Sequence, residues 1–412
     1  MIAMNSPIPV PTITPGINIT MAVFDSFDQA GLSREEWDEF ILSIGGSLYV
    51  TYDWCRIWWR HYSSHRRLRL FVFREGTRLI GLAPMFIDHI RLGFITIRLA
   101  KRVGSDFTLT MFALPLAPNH TEAIYRRLVE SLIGSEQCDA IWFGFMPGDD
   151  LTTAGLRDAC QSLRDLVTIV RDAPAGPHIL FNLPSNFDLY LAGLEKRQRQ
   201  NYRRDKNLLD KNFEMRGDVL KDPLETLAAF LEFKTLHTSQ WEEEGKSGHF
   251  GDWPDSEAFN ADLANELSRL GRFRMVRMFA GEEVVALQYA FIFGDCCYWR
   301  LPARTVRSEF KRFALGRLGL IQLINTMIDN GVCRIEAGAG HYEYKLRLGG
   351  EEMMLRSILI AANRAGSVLR ARLFLRLSGI IHLTYYRIWF GRIAPHLPFR
   401  WPLWRYWIRL RM

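Results

Sequence analysis

RFRMVRMFAGEEVVALQYAFIF, residues 272–293, reads as two apolar strands joined at a short turn around Gly281, with charged neighbours at the turn. Two strand-like runs separated by such a turn are the pattern of a β-hairpin. A stretch of the same form stands earlier in the chain: RLRLFVFREGTRLIGLAPMFI, residues 67–87, with Gly76 at its turn. A second pair of stretches follows these two. AIYRRLVESLIGSEQCDAIWFGFMPG (123–148) and FALGRLGLIQLINTMIDNGVCRIEAGAG (313–340) each read as an amphipathic helix, a turn, a short strand and a glycine-containing exit. Hairpin and helix–strand units thus recur in the same order about 200 residues apart, which predicts two copies of one α/β domain, over 21–180 and 181–360.

The gross numbers agree with this organisation. A chain of 412 residues exceeds one ordinary core, and 48% hydrophobic with 24% charged residues is a globular composition. Residues 1–20 contain no Lys or Arg and no unbroken apolar run, so they read as a disordered Pro-rich arm rather than a targeting segment. No run of eighteen apolar residues occurs, and no membrane-spanning helix is expected. Cys55, Cys138, Cys160, Cys296, Cys297 and Cys333 show no C-x-x-C spacing and read as buried free thiols of a reducing cytoplasm. The histidines are scattered without an H-x-x-x-H pair, so no metal is expected. Residues 356–412 hold eleven Arg and no acidic residue, whereas the other 355 residues carry 41 basic against 45 acidic side chains, a net of −4. The high pI therefore belongs to the tail, and nucleic acid is not an expected partner of the body.

The two copies differ where chemistry would show. In the second, the strand CCYWRLPAR (296–304) is followed by TVRSEFKRFALGRLGLIQL, where Arg304, Arg307, Lys311, Arg312 and Arg317 surround the start of a helix. A helix N-terminus offers unpaired N–H groups and positive dipole, so this is either a phosphate site or a surface helix with a basic first turn. The first copy shows no such turn.

The order of several motifs resembles the tandem GNAT-fold acyltransferases of the CelD/BcsL type, related to the FemABX peptidyltransferases. YDWCRIWWRHY (52–62) resembles that family's aromatic helix, and GTRLIGLAPMF (76–86) its hairpin. RQNYRRDKNL (199–208) is similar to the Fem-type basic helix, and LHTSQWEEEGKSGHF (236–250), the turn FGD (293–295) and EAGAGHYEYKLRLG (336–349) follow in the family's order. The resemblance covers residues 35–350. It implies an α/β (α+β) fold of tandem GNAT domains, each a mixed, mostly antiparallel sheet flanked by helices, followed here by a basic aromatic helical tail over 361–412. Acetyl-coenzyme A or another acyl-coenzyme A would lie in a V-shaped opening of the second sheet, against Trp299, Arg300 and Leu301 and the turn Arg312, Phe313, Ala314, Leu315, Gly316 and Arg317. The first copy would be a degenerate, structural one. The sequence departs from the family's Arg/Gln-x-x-Gly-x-Gly/Ala phosphate signature, since Arg312 is followed by Phe-Ala-Leu before Gly316.

Acyl transfer from a thioester to an amine or hydroxyl requires a base, an oxyanion site and a proton for the leaving thiolate. Glu336, at the end of a strand, is the first candidate base, with a salt-bridge role as its alternative. His341 is the second. Tyr342 and Tyr344 are candidate acids, or packing residues of a Tyr-x-Tyr strand. Lys345 is placed on a phosphate or a substrate carboxylate. His237, Trp241 and the acidic triplet Glu242, Glu243 and Glu244 read as a long polar loop that the resemblance puts over the acceptor.

LEKRQRQNYRRDKNLLDK (194–211) reads as a helix, with Leu194, Leu208 and Leu209 available to dock and most charges solvated. Through the Fem resemblance, Arg199, Asn201 and Arg203 are placed on an anionic substrate or a domain interface. The tail mixes Arg with Trp, Tyr, Phe and Leu. Either it lies on an anionic membrane surface, making the protein peripheral on the inner face of the membrane, or it docks on the body or on a partner. The leading functional expectation is an acyl-coenzyme A-dependent transferase acting on a sugar- or amine-containing acceptor, in cellulose, exopolysaccharide or envelope-precursor synthesis. A Fem-like transferase using aminoacyl-tRNA and a catalytically inactive membrane-associated assembly factor are the alternatives.

Overall fold

The computed structural model describes residues 19–106, 113–245, 248–251, 253–393 and 396–397. Most of the N-terminal arm, residues 1–18, and the tail end, 398–412, lie outside the described residues. The chain divides into two compact units, one drawn from Met1–Ala175 and Met354–Ala394, the other from Gly176–Met353. The second unit is thus continuous in sequence apart from His396 and Leu397, whereas the first is completed by residues that follow Met353.

In chain order the first unit contains β1 (Ile19–Phe24), α1 (Arg34–Ser43), α2 (Tyr52–Tyr62), β2 (Arg66–Glu75), β3 (Arg78–Leu92), β4 (Ile95–Arg102), α3 (Thr121–Glu130), β5 (Ala140–Pro147), α4 (Leu151–Ser162) and the start of β6 (Val167–Asn182). The second contains the end of β6, then α5 (Phe187–Gly193), α6 (Lys196–Asp210), β7 (Met215–Leu220), α7 (Pro223–Glu243), α8 (Ser256–Arg269), β8 (Phe273–Ala280), β9 (Glu283–Phe293), β10 (Cys296–Arg304), α9 (Leu315–Asp329), β11 (Arg334–Ala339) and α10 (Glu343–Leu346). Strand β12 (Glu351–Ala362) begins in the second unit and ends in the first, where α11 (Ala365–Thr384) follows. The strand order is β1-β2-β3-β4-β5-β12-β6 for the first unit and β6-β11-β10-β9-β8-β7 for the second. This is a mixed, mostly antiparallel sheet architecture flanked by helices, as the sequence led one to expect.

Both hairpins form where the glycine turns stand. Glu75 pairs with Arg78 around Gly76, and Ala280 pairs with Glu283 around Gly281. The two glycines have φ of 57° and 63°, a left-handed backbone that costs a residue without Cβ little. The only parallel registers among the described pairings are β4 with β5 and β10 with β11. Each holds for three residues: Leu99↔Ala140 to Lys101↔Trp142, and Cys296↔Arg334 to Tyr298↔Glu336. Beyond that point the strands part, so each unit contains a fork.

In the first unit the fork is filled from within. Arg102 is fully buried beside Gly144, where an added Cβ would lie 2.9 Å from its Nη2. Its neighbour Lys101 pairs with Asp106 at 3.2 Å, and Arg66 bridges Asp106 and Asp88 at 2.6 and 3.2 Å. Buried charges hold only when paired in this way.

The beginning of the basic tail is part of this unit's core. Ala361 and Ala362 belong to β12, and Ala371 and Phe374 of α11 pack with Ile97, Leu99, Trp142 and Leu359. Leu369, Ile380 and Leu383 stay exposed. Five of the six cysteines are buried, but Cys333, read from sequence as buried, is exposed. Among the described residues no helix is long and apolar enough to cross a membrane.

Phe374→Ala should destabilise the protein by about 3 kcal/mol through the cavity it leaves. Urea unfolding followed by tryptophan fluorescence measures this, and an unshifted midpoint would place α11 outside the core.

Candidate functional site

The fork of the second unit is lined by different chemistry. Trp299, the first residue of β10 beyond the parallel register, lies on the edge that Ala337 of β11 would otherwise cover. A β-bulge between Trp299 and Leu301 shifts the register against β9. Bulges of this kind re-aim a strand locally. Gly338 and Gly340, with φ of 85° and 118°, turn the chain out of β11 into α10, and this turn carries Lys345 back to the fork.

Lys345 occupies the narrow end. Its ammonium donates to Ala337 O at 2.6 Å and stands 4.7 Å from the Trp299 ring, 4.4 Å from Tyr342 and 5.9 Å from Tyr344. One strand of the fork thus supplies a carbonyl and the other an aromatic face, and two tyrosines complete an aromatic cage. Lys345 is 7% exposed, and burial pushes its pKa down to about 8. Tyr342 and Tyr344, read as part of a strand, instead open a short helix. They are 44% and 45% exposed, as lids over the ammonium would be. Burial, with Tyr342 as a lesser cause, raises Tyr344 to about 12.

Glu336 is the last residue of the parallel register. It is buried, and its carboxylate lies 3.2 Å from Nε2 of His178 on β6. His341 lies apart from this pair, exposed at the turn, 2.6 Å from Glu352.

Farther along β10, strand alternation decides what faces the fork. Thr305 donates to Val285 O on the β9 side, so Pro302 and Arg304 turn their backbone groups the other way, where β11 has left. Helix α7 satisfies them: His237 Nδ1 bonds Pro302 O at 2.8 Å, and Gln240 Oε1 accepts from Arg304 N at 3.1 Å. His237, Trp241 and the residues up to Glu243 are therefore helical, not the loop read from the sequence. The acidic triplet continues a helix that buries Ala229, Phe230, Phe233 and His237 on its inner face. His237 Nε2 meets Nδ1 of His249 at 3.1 Å, and Trp241 lies edge-on to the His249 ring at 5.1 Å between centroids. His249 escaped the sequence reading, because its contact with α7 depends on a turn that no local pattern announces.

The basic residues before α9 are mostly neutralised. Arg307 pairs with Glu283 and Glu309, Lys311 with Glu243, and Arg317 with Asp205. Among the described residues Arg312 bonds only an amide oxygen, that of Asn212, and it lies 4.9 Å from the Phe313 ring. Phe313 and Leu315 are buried, while Ala314 caps α9 without a side-chain hydrogen bond and Gly316 faces open space. Leu194, just before α6, and Leu209 within it are buried, but Leu208 is 38% exposed. Arg199 donates to Ala192 O at 3.1 Å and to Leu194 O, closing the end of α5. Asn201 is half-buried and Arg203 exposed. Arg300 stands at the bulge, and its charge contributes to lowering the His249 pKa. Among the described residues no group of three His, Cys, Asp or Glu is arranged to hold a metal.

Comparison with known proteins adds to this geometry. Residues 196–346 match the family model described as an acetyltransferase (GNAT) domain, from the first residue of α6 to the last of α10. The crystal structure of FemX is similar in fold, with a TM-score of 0.57 at 11% identity, over 79% of this chain and 96% of that one. L-PGS from Bacillus licheniformis (TM-score 0.46, 11% identity, 84% of this chain, 97% of that chain) is among the other similar solved structures. So is a tandem GNAT protein from the clavulanic acid biosynthesis pathway (0.44, 13%, 83% and 98%). No curated protein sequence matches the chain significantly.

The buried Lys345 predicts a pH signature. Its folded pKa lies near 8 against the ordinary lysine value of 10.5, so the unfolded chain binds more protons between these values and stability rises with pH across them. Relative to Lys345→Met, the wild type should gain about 3 kcal/mol between pH 7.5 and 10.5, by the usual conversion of pKa shift to free energy. Paired urea melts at each pH would show parallel curves if the lysine were solvated.

Proposed function

We propose that this chain is an acyl-coenzyme A-dependent N- or O-acyltransferase whose donor lies in the fork of the second unit. The observation that carries the reading is the ammonium of Lys345, held between the parted strands with one hydrogen on Ala337 O and, among the described residues, two without an acceptor. A thioester carbonyl lying between Trp299 and Ala337 would accept one of them, and that contact strengthens as negative charge develops on the oxygen. The phosphates of the donor would then run toward the start of α9. There, Arg312 is engaged only by an amide, and the first N–H groups of the helix are uncapped. The GNAT domain match over 196–346 supports the same class of chemistry. The first unit's fork is filled by Arg102, which supports a structural role for that copy.

For the acceptor, motif order resembling the CelD/BcsL type supports an amine or hydroxyl of a sugar-containing envelope or exopolysaccharide precursor. Exposed Leu369, Ile380 and Leu383 interleaved with exposed Arg372 and Arg376 support attachment of α11 to an anionic membrane surface. Arg372→Glu with Arg376→Glu should then release the protein from sedimenting phosphatidylserine vesicles.

Calorimetric titration with acetyl-coenzyme A tests the donor. Micromolar binding that weakens tenfold or more in Arg312→Ala, the usual cost of losing a charged hydrogen bond, fits the proposal. Absence of binding by the wild type would turn the assignment toward an aminoacyl-tRNA donor or a non-catalytic role.

A further inference from the structure

The fork contains a second device that the donor reading leaves unused, a chain of two histidines along the open edge of β10. Its tautomers follow from its partners. Pro302 O can only accept, so His237 Nδ1 carries the proton and donates to it over 2.8 Å. In a neutral ring Nε2 is then an acceptor, and the proton in the 3.1 Å contact belongs to Nδ1 of His249. The remaining nitrogen of His249, Nε2, is left with its lone pair.

The surroundings hold both rings in this form. His237 is 1% exposed, stacked on Phe233 at 5.5 Å and edge-on to Phe250 at 5.4 Å. Burial is the main cause that lowers its pKa to about 4, against the opposing bond to Pro302. Burial, followed by the charges of His237 and Arg300, lowers His249 to about 3. Ser256 Oγ donates to His249 O at 2.9 Å and fixes the backbone that carries the ring. The carbonyl at which the relay starts lies three residues along β10 from Trp299, about 10 Å at the usual strand rise. A donor at Lys345 and an acceptor lying along that edge fit within such a span.

We propose that His249, through Nε2, is the catalytic base that takes the proton from the acceptor nucleophile, and that His237 is the positioning residue that holds it in that tautomer. The inference rests on the acyltransferase reading. In the step, the acceptor nitrogen or oxygen forms a bond to the acyl carbon and its proton passes to His249 Nε2. The carbon–sulfur bond breaks, and the departing thiolate receives that proton, leaving His249 neutral.

Two measurements on the full chain test this. Long-range ¹H–¹⁵N spectra of ¹⁵N-histidine-labelled protein should show both rings neutral with the proton on Nδ1. A His249 ring protonated at Nε2 would overturn the proposal. The second follows free-thiol release from acetyl-coenzyme A with water as acceptor. His249→Asn keeps a donor toward His237 and lacks Nε2, so release should fall about a hundredfold at unchanged acetyl-coenzyme A affinity, as loss of a general base implies. Release equal to that of the wild type would overturn the proposal. His237→Asn should shift the His249 proton to Nε2 and lower release while the thermal midpoint stays. An unshifted tautomer would remove the positioning role. If the wild type binds no acetyl-coenzyme A, the donor reading fails on its own, since the tautomers are read without it.

Discussion

Parallel strands that pair for three residues and then separate impose one demand on everything around them: backbone groups on the parted edges have lost the partners a sheet would supply. Each such group must be satisfied by something else, because an orphaned buried amide or carbonyl costs on the order of 1–3 kcal/mol. In the second unit Ala337 O takes the Lys345 ammonium, Pro302 O takes His237, and Arg304 N takes Gln240. The side chains that close the hydrogen-bond ledger of the fork thus include a lysine and a histidine. In the first unit the same register ends in the same way, but Arg102 fills the gap and donates to Phe145 O at 3.2 Å. Two copies of one topological feature are resolved differently, one by Arg102 packed within it and one by Lys345 held between a carbonyl and aromatic rings.

Electrostatics separates the two forks further. In the first, Lys101, Arg66, Asp88 and Asp106 neutralise one another in a dry interior. In the second, the cation at the narrow end faces aromatic rings and a carbonyl. The arginines ahead of α9 look from sequence like a concentrated positive field, yet Glu283, Glu309, Glu243 and Asp205 offset most of it. Arg312 bonds instead the neutral amide of Asn212.

What was legible in the sequence was what depends on short-range pattern. The hairpins announced themselves through apolar runs broken by Gly76 and Gly281, and α9 through its apolar periodicity. The order of those units gave two α/β copies, and the mixed sheet came from the family resemblance that the motif order carries. What escaped depends on contacts between distant residues. A glutamate triplet suggested a loop at 242–244, but Phe230, Phe233 and His237 bury one side of α7 and carry the helix through to Glu243. Tyr342 and Tyr344 alternate as strand residues do, yet Gly338 and Gly340 redirect the backbone before them, and one turn of helix results. His249 had no visible partner because its meaning is set by His237, twelve positions back, and by a carbonyl on a strand 65 positions beyond that helix residue. The placement of β12 likewise depended on which unit would claim it.

That placement carries a consequence for biogenesis. Strand β5 ends at Pro147, but its neighbour in the sheet arrives with Leu355, and the helix that covers Trp142 arrives later still. A ribosome making this chain releases the whole contiguous stretch from Gly176 to Met353 before the earlier half can finish its sheet. The later-made half is thus the first able to complete a native core, and the earlier one waits with an unpaired β5 edge, the kind of surface chaperones recognise. The N-to-C order of synthesis and the order of maturation run in opposite senses.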